Sequence, residues 1–399
     1  MRYLWTAVMF GVWAFGAVKA EHWLTNKNCE ACHQEFSQNW ETTRHSNSHY
    51  SKNDLFKKSL DYITTKNPTI IMDEIKVKCA QCHNPKLAKR HISDEEKVGL
   101  LFDDADTKKE FHSLLDNPLM QNGINCIVCH TMDKIHIDKK KGSGGMESVT
   151  FGKEGTVYGP FADAVSPYHK SFKRNHFATK GPGLCFVCHY SFKNDQGLDV
   201  YATGKEYDMF ASSPNEGCKD CHMSEQYEGY ASNYQMPGVT LKKRLIRKHR
   251  FASVDNSNIM LDYLDVKPRV RGNDFVLRVT NHAPHKIPTG YGLRQIILTV
   301  TFLDRKENVV QTQRQILQTQ WVDAEGKPTI PHLAVKIAKD TRQDGKSTKQ
   351  YRFSIPKGAT AARYKLSYRL ISEEMAKELG ITDEFFLHEY IFSEQRIHL

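Results

Sequence analysis

The ten cysteines of this chain fall into five pairs, and each pair is followed directly by a histidine. The five stretches read CEACH from Cys29, CAQCH from Cys79, CIVCH from Cys126, CFVCH from Cys185 and CKDCH from Cys218. No cysteine is left over. Two thiols separated by two residues reach the two vinyl groups of one porphyrin, and the next histidine then lies under the iron. Cys29, Cys32, Cys79, Cys82, Cys126, Cys129, Cys185, Cys188, Cys218 and Cys221 are therefore expected to attach five haem c groups. His33, His83, His130, His189 and His222 are the expected proximal ligands. Zinc sites do not require a histidine after every second cysteine, and a redox disulfide motif would occur once, within a βαβ pattern.

Nineteen histidines less these five leave fourteen that could supply sixth ligands. Met223 directly follows His222 and cannot swing to the opposite face of the same haem, so it reads as a packing residue. Histidine on both faces of an iron gives a low potential, since methionine is the ligand that raises it.

The elements that must position these groups change character along the chain. The opening MRYLWTAVMFGVWAFGAVKA, residues 1–20, has Arg2, a short apolar run and small residues before a cleavage point at Ala20. It reads as a secretory signal, the other reading being an uncleaved membrane anchor. Residues 21–258 are read as a pentahaem cytochrome c domain, mostly irregular and α. Its motifs are spaced 50, 47, 59 and 33 residues apart, which is no simple repeat. Helical patterning is visible at 35–45, 53–62 and 94–115, with the turn-rich DKKKGSGGMES at 138–148. From 259 to 399 the period becomes two, as in DFVLRVT, QIILTVTF, QYRFSI and RYKLSYRL, and an all-β, sandwich-like C-terminal domain is expected. A short helix is expected at 372–379.

The formal charge is +10, and loss of Arg2 and Lys19 with the signal takes it to +8. Ten haem propionates add roughly −10, offset by about +1 per ferric haem, so the loaded protein is near neutral. The basic excess is thus no nucleic-acid footprint. LKKRLIRKHR at 241–250 reads as a solvated or propionate-facing surface, with docking of an acidic redox partner as the alternative.

At this point the residues resemble a known family. CEACHQEFSQNWETTRH is similar to the opening of the cytochrome c-554 family, in which a tryptophan stands five residues before a histidine. On that resemblance Trp40 packs against a haem and His45 is a distal ligand. GINCIVCHTMDKIH resembles the family's motif with a second histidine six residues on, which implies His136. YGPFADAVSPYHKSF resembles a Gly-Pro-plus-histidine segment and implies His169. RKHRFAS resembles the element after the last motif and implies His249. NHAPHKIPTGYGLR resembles an element of related multihaem cytochromes with a C-terminal β-domain and implies His285, with His282 a bystander. His49, His91, His112 and His176 stand as alternates. Two departures are visible: the best-known member has four haems, and Thr131-Met132 replaces the usual Gly-Pro. Members of the family can also leave one iron five-coordinate.

The expected function is electron transfer by an exported, periplasmic cytochrome with periplasmic or membrane-associated redox proteins as partners and no nucleic acid. An extracellular or outer-surface location is the alternative, and membrane contact is expected only if the signal stays. A reductase or oxidase of small nitrogen or sulfur compounds at one open haem is the runner-up. The lysine-ligated C-x-x-C-K site of pentahaem nitrite reductases is absent from the sequence. A subunit of a conductive filament is the third reading.

Overall fold

The computed structural model describes residues 26–84, 86–87, 91–178, 181–213, 216–233, 235 and 240–399. The expected signal, residues 1–20, lies outside them. No described helix is long and apolar enough to cross a membrane.

Up to residue 258 the chain is short helices joined by turns, with small two-stranded ribbons. The helix Gln34–Glu41 ends before His45, so the expected run to 45 breaks into turns. Asp54–Lys66 is capped by the Asn53 side chain on the Phe56 N–H. The expected helix at 94–115 is two helices, Asp94–Leu101 and Ala105–Leu115. Asp103, at φ 61°, turns the chain between them, and Asp104 caps the second. Met72–His83 is a helix that sequence patterning missed. Ile71 at its N-cap makes no side-chain cap, so Asp73 and Glu74 in the first turn are the start's residue signal.

The C-terminal region consists of antiparallel sheets with no closed barrel. One sheet has strand order Ser347–Ser354, Asp274–Asn281, Leu264–Arg271. The other runs Val309–Leu317, Gln295–Leu303, Ala361–Arg369, Tyr390–His398. Alternate residues of both face one core: Phe275, Leu277 and Val279 meet Ile296, Leu298, Val300, Phe302, Tyr364 and Leu366. The Phe275 ring stands edge-on to Phe302 at 6.3 Å. Full burial of each such side chain contributes roughly 1.5–3 kcal/mol relative to exposure. Val309–Leu317, VVQTQRQIL, escaped the sequence reading because most of it is exposed and its polar residues mask the period.

A second apolar core joins the two halves. Leu55 and Ile63 of the helix Asp54–Lys66 pack with Leu293, Trp321, Ile330 and Ala334, and with Met375 and Leu379 of the helix Glu373–Leu379. Asp54 also accepts backbone N–H bonds from Thr382 (2.8 Å) and Asp383 (3.1 Å). The strand-rich half is thus anchored to the helical half by side chains and backbone together.

Candidate haem-binding site

Each of the five C-x-x-C-H stretches lies on a helical turn. Cys126–His130 and Cys218–His222 are helices in themselves, CAQCH and CFVCH end the helices Met72–His83 and Gly183–His189, and the His33 N–H donates to Cys29 O at 2.8 Å. On such a turn the two thiols, three positions apart, share a face. None of the ten cysteines forms a disulfide.

All ten line one cavity of about 2160 Å³. That exceeds a small-ligand pocket of about 300–1,000 Å³ at least twofold. The five motif histidines line it as well, with five others: His45, His169, His249, His285 and His332. Trp40 does too, its indole N–H donating to Ile124 O at 2.7 Å.

The histidines face one another in pairs. Ring centroids of His33 and His169 are 6.4 Å apart, those of His189 and His45 6.2 Å, and those of His130 and His249 6.1 Å. Two imidazoles on opposite faces of one iron would sit roughly 6 Å apart, from two metal–nitrogen bonds of about 2 Å and two half-rings of about 1.1 Å. His285 lies close enough to His222 to act on its protonation, after burial, and His83 acts likewise on His332. The residues present therefore fit a set of axially ligated haems.

Backbone acceptors hold many of these rings from behind. Nδ1 donates from His33 to Ala231 O (2.6 Å), from His83 to Ser48 O (2.8 Å), from His130 to Tyr158 O (2.7 Å), from His249 to Arg247 O (3.1 Å) and from His285 to Lys286 O (2.9 Å). That tautomer leaves the Nε2 lone pair for a metal. Burial pushes His45, His169, His222, His249 and His332 down to about 4 and His189 to about 3. The neutral, ligating form is then the one held at neutral pH.

His136 does not join this set. It is exposed, and its Nε2 is hydrogen-bonded to Thr150 Oγ1 at 2.9 Å. The ribbon Met132–Ile135 with Val149–Phe151 carries it away from the cavity. His332, which sequence reading passed over, lines the cavity instead. The alternates stand elsewhere: His49 uses both ring nitrogens, on Ser51 Oγ (2.7 Å) and Leu115 O (3.1 Å), His112 pairs with Asp116, His91 is exposed, and His176 is outside the lining. His282 is exposed.

The loop 281–290 is built from several sides. Asn281 Nδ2 donates to His285 O at 2.9 Å. The buried Glu206 carboxylate accepts from the Lys286 N–H (3.2 Å), Thr289 Oγ1 (2.6 Å) and the Arg342 guanidinium (2.6 Å). Ile287–Pro288 is a cis peptide, and Gly290 takes φ 83°. The positive φ favours glycine, and a Cβ there would stand 2.6 Å from the Arg294 guanidinium, which bonds Thr289 O at 2.8 Å.

The basic stretch at 241–250 is occupied by the protein's own carboxylates. Lys242 and Arg244 both bind Asp163 (2.7 and 2.8 Å), Arg247 binds Asp220 (2.7 Å) and Lys248 binds Glu225 (3.0 Å).

Paired thiols, facing imidazoles and a strand-rich second half define a multihaem c-type cytochrome that binds haem c covalently. Residues 28–131 match the family described as cytochrome c554 and c-prime, and it is this family that the chain resembles. The fold is that of a penta-heme cytochrome c552 from Thermochromatium tepidum, at TM-score 0.68 and 18% identity over 94% of this chain and 98% of that one. A glycosyl hydrolase family 2 member from Bacteroides cellulosilyticus matches 34% of the chain and 13% of its own at 9% identity, with TM-score 0.15, too slight a likeness for argument. No curated protein matches the chain.

Proposed function

We propose that this protein carries five haem c groups, one per C-x-x-C-H motif, and relays electrons among them between redox partners. The facing histidine pairs at 6.1–6.4 Å are the observation that carries it. His33 with His169, His130 with His249, His189 with His45 and His222 with His285 are the ligand pairs of four haems. A haem supplies a one-electron couple when bound. The protein's residues fix its spacing and, through two imidazoles per iron, keep the potential low.

Neighbouring thiols of different motifs support a branched arrangement of the haems. The Cys29 thiol interacts with that of Cys126, Cys82 with Cys188 and Cys185 with Cys218, and Cys129 is within electrostatic reach of Cys185. The haem at Cys185 and Cys188 is thus a junction with three neighbours. Two of them sit at the Cys79 and Cys218 motifs, and the third leads through Cys126 to Cys29. The N-terminal twenty residues support export, and with it periplasmic work with soluble or membrane-associated redox proteins.

Haem quantitation with electron paramagnetic resonance of the oxidised protein tests this. The expected result is five haems, all low-spin. A high-spin ferric signal that shifts with nitrite or hydroxylamine would overturn the carrier reading in favour of catalysis at an open haem.

A further inference from the structure

The three facing pairs, with His222 and its neighbour His285 as the fourth, leave one motif histidine, His83, and one further cavity-lining imidazole, His332. We propose that His332, delivered from the strand-rich domain, is the sixth ligand of the haem attached at Cys79 and Cys82, opposite His83. This rests on the five-haem reading above.

One helix packs on His83 and on the segment that carries His332. Asp54–Lys66 lays Phe56 flat on the His83 ring at 4.0 Å, while its Leu55 and Ile63 pack against Ile330 and Ala334 on either side of His332. Ile330 and Ala334 are wholly buried, so the segment between them has little freedom. Tyr291 closes the remaining side. Its ring is 5.7 Å from His332, its hydroxyl 3.4 Å from Nδ1, and it lies within electrostatic reach of Cys79. Nδ1 is thereby turned to the protein, leaving Nε2 as the free nitrogen.

Asn194 is the positioning residue. Its Nδ2 donates to Pro331 O at 2.9 Å and to Ala334 O at 2.8 Å, the carbonyls bracketing His332. Its Oδ1 accepts from the Gln196 and Leu198 N–H groups, each at 3.0 Å. All four amide interactions reinforce one orientation, so the side chain cannot flip without losing them. Asn194 follows the CFVCH motif by five residues, so the clamp ties His332 to the element that carries the neighbouring haem.

Ligation by both His332 and His285 would pin the strand-rich domain to two haems that each adjoin the junction haem. Both histidines follow a proline, Pro331 and Pro284, which restricts the backbone just before the ligand.

The test uses the exported, haem-loaded protein. His332→Ala is expected to keep five haems by mass and pyridine haemochrome, to show one high-spin ferric haem, and to regain the low-spin state with added imidazole. His332→Met is expected to stay low-spin with one potential raised, as methionine ligation requires. Asn194→Leu is expected to give partial high-spin character that imidazole removes. His136→Ala is expected to match wild type. Full haem loading with every haem low-spin in His332→Ala would overturn this inference alone, as would a high-spin haem produced by His136→Ala. A wild-type protein without haem on the Cys79–Cys82 peptide would overturn the five-haem reading with it.

Discussion

Glu206 accepts a hydrogen bond from the Lys286 backbone N–H at 3.2 Å, one residue beyond His285, although the two lie on opposite sides of the junction between the helical and strand-rich halves. The same carboxylate binds Thr289 and Arg342, and Arg342 also holds Asp340 at 2.9 Å. A single buried charge therefore fixes the loop and bridges the halves. Glu206→Ala removes one partner of a buried pair, which costs about 3 kcal/mol or more. Denaturant unfolding is expected to show that loss, and spectroelectrochemistry a changed potential for one haem only. Wild-type stability in Glu206→Ala would count against this role.

The four candidate ligands outside the motifs that sequence and structure both single out can be separated one by one. His45→Ala, His169→Ala, His249→Ala and His285→Ala are each expected to turn one haem high-spin without loss of covalent haem. Magnetic circular dichroism or paramagnetic resonance reads the count directly. A variant whose haems all stay low-spin removes that residue from the ligand set.

Asp163 offers a pH dependence with a defined sign. Hydrogen bonds from Lys242, and then from Arg244, hold its carboxyl down to about 2. A carboxylate lowered by folding adds stability that is present above its unfolded value, about 3.9, and is lost as the pH falls through the folded value. Asp163→Asn should therefore be less stable than wild type by a constant amount above about pH 4, with the two curves meeting as the pH nears 2. High salt should narrow the gap, since Asp163 and Lys242 are solvent-facing. Acid unfolding followed by circular dichroism measures both.

Gly145 is a backbone test of the second motif. It has φ 51°, and a Cβ would fall 1.8 Å from the carbonyl oxygen of Gln81, inside CAQCH. Gly145→Ala combines a left-handed backbone penalty with overlap against main chain, together about 2–4 kcal/mol. Thermal unfolding should show a lowered midpoint, and the haem at Cys79 should be the first to lose its low-spin signature. An unchanged midpoint would mean that the 138–148 turn can move aside freely.

How far the sequence reads depends on the range of each signal. The attachment motifs are legible because the thiols and the following histidine act within one helical turn. The core strands are legible because Phe275, Leu277 and Val279, or Leu298, Val300 and Phe302, alternate against one apolar layer. Met72–His83 was not legible, having no capping residue, and neither was the exposed strand Val309–Leu317. The second set of cavity-lining histidines was legible only in part. His45, His169, His249 and His285 sit in segments with local character, whereas His332 stands in TIPHLA, whose one local hint is the Pro-His step shared with His285. His136 shows the opposite case: its spacing from a motif is suggestive, yet it follows the ribbon strand Met132–Ile135 on the exposed side, with its ring on Thr150.

The sequence by itself determined the five C-x-x-C-H motifs with their chemistry of covalent attachment, and the alternation that makes the second half a sandwich. Both follow from contacts between residues a few positions apart. Tertiary structure alone decided which imidazole faces which, because those partners are separated by 136 residues for His33 and His169 and by 144 for His45 and His189. It also decided that the loops bearing His285 and His332 are bound to the helical half through Glu206 and Asn194. No local propensity encodes such a pairing. It arises when apolar burial, buried polar satisfaction and the space around the cavity are met together.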